Sequence, residues 1–308
     1  MKFERFKEII SRTIKSPRMI LYYIVSRYLN DLFDDETYLR TVFRLYTGEK
    51  LDLNNPQTFN QKLQWLKLYG HRPEYVTMAD KFAVKRYVAD LIGEEYVVPC
   101  LGVWDNAEEI DFDSLPDQFV LKCTHNSGNG RCICKDKSKI DFDVVRKRIA
   151  KGLKEDYYKP GRDKQYRDIP KKIIADQFLD DGTGSELRDY KWWCFDGEPM
   201  YMYYTNKGEH IYENFFDMDY NPVPIDHGFA RLVPEMEKPK EFELMRELAA
   251  KLSKGVPFVR IDFFDVNHRV YFAEYTFFDW GGFRKFEGDW DYELGKLIRL
   301  PKNKSNSN

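Results

Sequence analysis

The run FVRIDFFDVNHRVYFAEYTF, Phe258 to Phe277, places charged residues at strand spacing among aromatic ones. On a strand, Arg260 and Asp262 share one face while Val259, Ile261 and Phe263 take the other. Glu274 and Thr276 share a face of the following strand. A three-residue connection centred on His268 sets Asp262 opposite Glu274 and Arg260 opposite Thr276. Two carboxylates facing each other across a hairpin repel unless a cation lies between them. Arginine meets part of that need. A divalent ion meets it better, because Mg²⁺ takes a few carboxylates and fills its remaining positions with phosphate oxygens and water. The bland alternative is an exposed acidic hairpin, against which the aromatic flanks argue.

Three other stretches carry reactive groups. In VLKCTHNSGNGRCICKD, Val120 to Asp136, an apolar run delivers Lys122 to a small polar loop holding Ser127, Gly128 and Gly130. Such a loop can bring backbone N–H groups close to an anion, though it matches neither the Walker nor the dinucleotide pattern. An ordinary hairpin reads the same way. Zinc at Cys132 and Cys134 is disfavoured, since structural sites use C-x₂₋₄-C pairs on turns and no second pair exists. These cysteines read as small buried hydrophobes. KKIIADQFLDD is an apolar strand turning polar at Asp176 and Gln177, followed by Phe178 and Leu179. LRDYKWWCFDGEPMY sets Asp189 and Lys191 on one strand face before a turn at Asp196–Gly197; an inward Lys191 would meet phosphate, an outward one water.

The elements that must position these groups follow from periodicity. Up to about residue 92 the chain reads as helical: Thr58 caps TFNQKLQWLKLYG, and DKFAVKRYVADLIG closes at Gly93. From Tyr96 onward short apolar runs read as strands. Two helical patterns interrupt them, one after Asp141 and one from about Glu241 to Lys254. Strands with several hairpins and few helices make an α+β protein rather than a doubly wound parallel sheet. Asp141 to Lys172 carries eleven Lys/Arg against six Asp/Glu, which reads as a solvated, flexible basic segment or as a mobile cover over an anion. The polar tail after Leu300 is expected to be disordered.

At 308 residues with 43% hydrophobic and 32% charged residues, the chain is long enough for one large or two modest domains with a real core. A net charge of −2 gives no pointer to nucleic acid. Five unevenly spaced cysteines make no disulfide framework and fit a reducing compartment. MILYYIV, Met19 to Val25, is too short to span a bilayer and lacks a cleavage site; it reads as a buried or interfacial helix face.

In chain order, Asp80–Lys81, Lys122 with HNSGNG, IIADQFL, DYK, VRIDFF and FAEYTF resemble the ATP-grasp superfamily, and closely its teichuronopeptide-synthesis-type (TupA-like) branch. TFNQKLQWLKLY, DKFAVKRYV, YVVPCLGVWD, FVLKCTHNSG and PFVRIDFF carry the closer likeness, over roughly Phe43 to Leu300. The resemblance implies an ATP-grasp fold, with two α+β subdomains (93–180 and 181–300) sandwiching ATP, a mostly helical region (1–92) before them and a tail (301–308) after them. It implies Lys122, with Lys81 as a second cation, on the phosphates. Ser127, Gly128 and Gly130 become a mobile phosphate loop, and Asp176, Gln177, Phe178 and Leu179 the linker that reads adenine. Lys191 becomes a basic phosphate contact, Arg260 the cation beside the transferred phosphate, and Asp262 and Glu274 the Mg²⁺ ligands.

This sequence departs from the pattern in three places. Many such ligases carry a third metal ligand, an Asn, where Thr276 stands. The linker acid is Asp176 where Glu is common. Asp180, Asp181 and Glu186 all remain candidates for the ribose. The implied activity is an ATP-dependent carboxylate–amine ligase working through an acyl phosphate in cell-surface polymer synthesis, joining a uronic acid or acidic chain to an amino acid or amine. Its partners would be those small-molecule or saccharide substrates, its location cytoplasmic, and its amino-terminal helices are candidates for contact with the inner membrane face. A phosphoryl transferase acting on a sugar hydroxyl, a nucleotide-sugar glycosyltransferase with its metal at Asp217 and Asp219 of FDMD, and a non-catalytic binding module are the other classes kept open.

Overall fold

The computed structural model describes residues 17–128, 130–182, 187–207, 211–226 and 237–301. Glu186 and the tail beyond residue 301 lie outside them.

The chain begins with helices α1 (Pro17–Tyr28), α2 (Asp35–Thr47), α3 (Phe59–Tyr69), α4 (Glu74–Ala79) and α5 (Ala83–Ile92). Thr58 caps α3, its hydroxyl accepting the Gln61 N–H at 3.2 Å, and α5 stops at Gly93 with φ of 118°. Two antiparallel sheets follow. The smaller has the order β1 (Cys100–Trp104), β4 (Ile173–Gln177), β2 (Phe119–Cys123), β3 (Cys132–Cys134). Helix α6 (Phe142–Leu153), capped by Asp141, packs on it through Val145 and Ile149. Cys123, Cys132 and Cys134 are buried in that core beside Phe119 and Leu121. Burial pushes the thiols of Cys132 and Cys134 above their usual value, as suits inert core residues rather than metal ligands.

The larger sheet has six strands in the order β10 (Arg269–Thr276), β9 (Val259–Val266), β5 (Asp189–Phe195), β6 (Glu198–Lys207), β7 (Ile211–Phe216), β8 (Pro222–Val223). Strand alternation divides its side chains between two cores. Trp192, Cys194, Ile261 and Phe263 pack against α8 (Phe242–Ser253) and α5. Trp193, Phe195, Phe215 and Phe258 pack against α2, α3 and α9 (Trp290–Leu297), with Phe59 of α3 stacked on Trp193 at 5.5 Å. The amino-terminal helices are therefore half of a core. Along β5 this second face changes from Phe195 and Trp193 to Lys191 and Asp189. Along β9 it changes from Phe258 to Arg260 and Asp262. The helices cover the aromatic end, and the charged end is left facing the smaller sheet.

The β9–β10 connection differs from the expected three-residue loop. It is a two-residue turn, Asn267–His268, with φ of 54° and 66° at the two positions. The mirror-image turn suits the strand twist. Its register alone would set Asp262 against Ala273. A bulge between Phe272 and Glu274 inserts Ala273, and beyond it Asp262 pairs with Glu274 and Arg260 with Thr276. The expected facing pairs are thus present, but a tight turn plus a bulge produces them.

The basic segment after α6 is solvated only in part, with Lys154, Arg167 and Lys171 exposed, and it is not a loose cover. It forms α7 (Tyr158–Gly161) and a turn of 3₁₀ helix strapped across the amino-terminal helices. Arg162 is buried, with Nε 3.2 Å from Asp35 and its guanidinium 4.2 Å from the Tyr38 ring centre. Lys164 donates to the Leu68 carbonyl. The buried Lys67 of α3 reaches Asp163 at 3.0 Å and the carbonyls of Gly161 and Gly281. These cations satisfy backbone and carboxylate groups of the fold, which leaves few for a ligand.

The turn can be tested through its strain. A left-handed L-residue costs about 1–2 kcal/mol, and glycine returns about 0.5–1 kcal/mol of that through its larger entropy loss. His268→Gly should therefore stabilise the protein by about 0.5–1 kcal/mol in urea unfolding, with an unchanged m-value.

Candidate active site

The charged end of the large sheet and the inner strands of the small one enclose a chamber of about 500 Å³. It opens into an apolar slot of about 180 Å³ walled by Val120, Ile133, Phe178, Leu179, Leu187 and Phe264. Lys122, Asp176 and Asp189 line both spaces.

Strand β2 turns Phe119, Leu121 and Cys123 into the core and Lys122 into the cavity. Lys122 Nζ lies 3.0 Å from Asp176 Oδ2. Asp176, expected in a base-reading linker, is a buried carboxylate shared by two ammonium groups: Lys85 of α5 reaches its other oxygen at 2.9 Å. Lys85 escaped the sequence reading, although it stands in the first turn of the helix that follows Lys81. Lys81 lines the chamber, but its backbone N–H donates to Thr124 and its ammonium to the Asn126 carbonyl. Burial pulls its pKa down, with Glu274 opposing and Lys122 adding to the shift. Gln177, Phe178 and Leu179 line the slot, as does Asp180.

The polar loop is anchored on its first half. Thr124 donates to the Pro170 carbonyl, Asn126 to the Gly152 carbonyl, and buried His125 contacts the Glu155 carbonyl through Nε2. Ser127 and Gly128 reach the chamber. Gly128 has φ of 83° and open space where a Cβ would stand. Gly130, expected to face the same ligand, does not line the chamber. A Cβ there would meet Cys123 Sγ at 2.7 Å and the Gly152 Cα at 2.9 Å, so its smallness seals the loop against α6.

The second cluster sits on β5, β9 and β10. Arg260 makes a two-pronged contact with Asp262, Nε to Oδ1 at 2.7 Å and Nη2 to Oδ2 at 2.8 Å. Nη2 also reaches Glu274 at 3.2 Å, and Nη1 reaches Asp279. Lys191 bridges Asp189 at 3.1 Å and Asp262 at 3.4 Å. Burial pushes Asp262 up from the ordinary carboxylate value while Arg260 and Lys191 pull it back. Burial disfavours the charges of Arg260 and Lys191, but their carboxylate neighbours outweigh it and both pKa values are raised. Among the described residues no cluster of three or more His, Cys, Asp or Glu side chains could hold a metal.

Asp279 and Trp280 were also missed. The signal was a lone acid among aromatics before two glycines, FFDWGG. Trp280 lines the chamber in the left-handed region, with φ of 48°, and the Arg284 guanidinium lies 4.0 Å from its ring centre. By contrast, Asp217 of FDMD accepts the N–H groups of Asp219 and Asn221 in the β7–β8 turn and does not line the chamber.

Arg260 is the shared counter-charge of two almost fully buried acids and one half-exposed one. Arg260→Gln should cost about 3–5 kcal/mol in urea unfolding, because buried Asp279 loses its ion-pair partner and Asp262 keeps only Lys191, at 3.4 Å.

Comparisons with known proteins bear on the chain as a whole. A family model described as TupA-like ATPgrasp matches residues 61–299. A search of curated proteins finds no sequence match. Among solved structures, D-alanine-D-alanine ligase from Helicobacter pylori is 14% identical with a TM-score of 0.47, covering 78% of this chain and 69% of that one. The Bacillus anthracis D-alanine–D-alanine ligase is 14% identical with a TM-score of 0.42, covering 65% and 57%. The ATP-grasp ligase PsnB, complexed with minimal precursor, Mg and ADP, is 10% identical with a TM-score of 0.40, covering 71% and 57%. This chain thus spans less than two thirds of the last two. With the family model extending over most of the chain and both sheets, the chain belongs to the TupA-like ATP-grasp family of ATP-dependent ligases.

Proposed function

We propose that the protein joins a carboxylate to an amine, using ATP to activate the carboxylate as an acyl phosphate. One observation carries this reading: an apolar slot leads past one pair of cations, Lys85 and Lys122, into a chamber holding a second pair, Lys191 and Arg260, beside facing carboxylates. In this reading residues 93–180 and 181–300 hold the nucleotide between them, and 1–92 supports the second half.

Adenine takes the slot, against Phe178, Leu179 and the backbone after Gln177. Lys85 and Lys122 exchange Asp176 for phosphate oxygens, with Lys81 holding the loop that carries Ser127 and Gly128 over the phosphates. Asp262 and Glu274 fit a divalent ion: both lie within 2.8–3.2 Å of a single guanidinium nitrogen, so one cation already reaches both. Their hard oxygens suit Mg²⁺, which would supply charge neutralisation on the phosphates when bound. Lys191 and Arg260 stabilise charge on the transferred phosphoryl. The substrate carboxylate oxygen attacks the γ-phosphorus and ADP leaves. The amine then attacks the acyl carbon, sheds a proton, and phosphate leaves. Trp280, Tyr203 and Thr205 wall the chamber beyond Arg260 and are placed to meet the acceptor. Loop closure keeps water from the acyl phosphate.

For the substrates we propose a uronic acid or acidic chain and an amino acid or amine, in cell-surface polymer synthesis on the cytoplasmic side. Helix α1 leaves Ile20, Leu21, Tyr23 and Tyr28 exposed, which supports contact with the inner membrane face. Among the described residues no helix is long and apolar enough to cross a membrane.

Mg·ATP at a hundred times its dissociation constant should add about 2.7 kcal/mol to stability, read as a rise in Tm. With uronic acids and amines supplied in pairs, ADP and phosphate should appear together with an amide. A stable phosphorylated sugar without amide would show phosphoryl transfer to a hydroxyl instead. Lys122→Ala should raise the barrier to ADP release by about 3–4 kcal/mol, comparable to losing one oxyanion donor; unaltered turnover would remove Lys122 from the phosphates.

A further inference from the structure

We propose that Asp279 is the positioning residue for Arg260, holding the guanidinium in place while the other two carboxylates serve the nucleotide. This rests on the ATP-grasp reading above. Arg260 has three carboxylate partners. Two of them, Asp262 and Glu274, are the pair that fits a divalent ion. Once a cation draws on those oxygens, Arg260 loses its two-pronged hold. Asp279 is the partner that lies outside the pair.

Asp279 is built for that task. It is almost fully buried at the head of the 279–282 turn. One oxygen accepts from Arg260, and the other accepts the Trp193 indole N–H at 3.1 Å and the Tyr203 hydroxyl at 3.3 Å. A carboxylate with both oxygens bound in a low-dielectric site cannot rotate away with the arginine. The turn is fixed in its own right. Gln64 of α3 donates to the carbonyls of Gly281 and Gly282, and the buried Lys67 ammonium also reaches Gly281. Helix α3 thereby sets Asp279 against the sheet, and Asp279 sets Arg260. A salt bridge kept only for stability would need none of this aim. Here Nη1 is tied back toward the core, so a cation that takes the Asp262 oxygens would release the Nε and Nη2 edge to the transferred phosphoryl.

The test uses the full chain and a fluorescent ADP analogue, with Mg²⁺, with and without aluminium fluoride as a stand-in for the phosphoryl in flight. Wild type should bind Mg·ADP and release it far more slowly once fluoroaluminate is present. Asp279→Asn should leave Mg·ADP affinity within twofold of wild type yet shorten the trapped lifetime by about tenfold or more, as for a lost hydrogen bond to a charged group, and Arg260→Lys should shorten that lifetime as much. The double variant should be no worse than either single one, since one residue acts through the other. Should Asp279→Asn not fold, Trp193→Phe, which removes one donor to Asp279 without touching the chamber, should show the same selective loss in weaker form. A trapped lifetime independent of Asp279, losses that multiply in the double variant, or a loss of Mg·ADP affinity equal to the loss of trapping would each overturn the proposal. Wild type that fails to bind Mg·ADP would instead overturn the nucleotide reading, and the proposal with it.

Discussion

Everything in the chamber is arranged around one guanidinium that three carboxylates share. Burying a lone arginine in this sheet would be prohibitive, and burying Asp262 or Asp279 without it would be equally so. The mutual dependence dictates the rest. Strand β9 must bring Arg260 and Asp262 to one face, β10 must deliver Glu274 to that face, and the turn at residue 279 must come close enough to close the set. The three segments follow one another in sequence, with β10 between β9 and the turn. The amino-terminal helices provide the apolar mass that holds them, through Phe59 against Trp193 and through Gln64 and Lys67 against the turn.

The second cation cluster works on a looser principle. Lys85 and Lys122 share Asp176, and the Lys122 side chain is about a quarter exposed. An anion can compete for these ammonium groups at modest cost, since the exchange replaces one set of charge-assisted hydrogen bonds with another. In the proposed function the two clusters divide the labour. Exchangeable lysines border the slot, and a locked arginine sits at the far end, where the placement of charge matters most for a reaction governed by electrostatic preorganisation.

Legibility in the sequence followed the range of the interaction. Period-two alternation was enough to put Arg260 and Asp262 together and to send Cys132 and Cys134 into a core. Capping chemistry was enough for Thr58. What escaped was set by long-range packing. Nothing local marks Lys85 rather than Lys81 as the partner of Asp176, because the choice depends on how α5 meets the small sheet. Asp279 gained its role from Trp193 and Tyr203, more than seventy positions away. The basic stretch around Arg162 looked solvated because its partners, Asp35, Tyr38 and Lys67, lie over ninety positions upstream. Gly130 resembles Gly128 in sequence, but open space surrounds Gly128 while Gly130 abuts Cys123 and Gly152.

The bulge at Ala273 has a consequence of parity. In a regular hairpin with a two-residue turn, residues that face each other are separated by an odd number of positions. Asp262 and Glu274 are twelve apart, an even number, and only the extra residue reconciles that spacing with the Asn267–His268 turn. Tip and bulge are therefore coupled features. A relative that lengthens the tip by one residue can dispense with the bulge, and one that loses the bulge must change the tip or shorten the spacing to eleven. The distance along the chain between two such acids thus carries no fixed meaning until the turn between them is known.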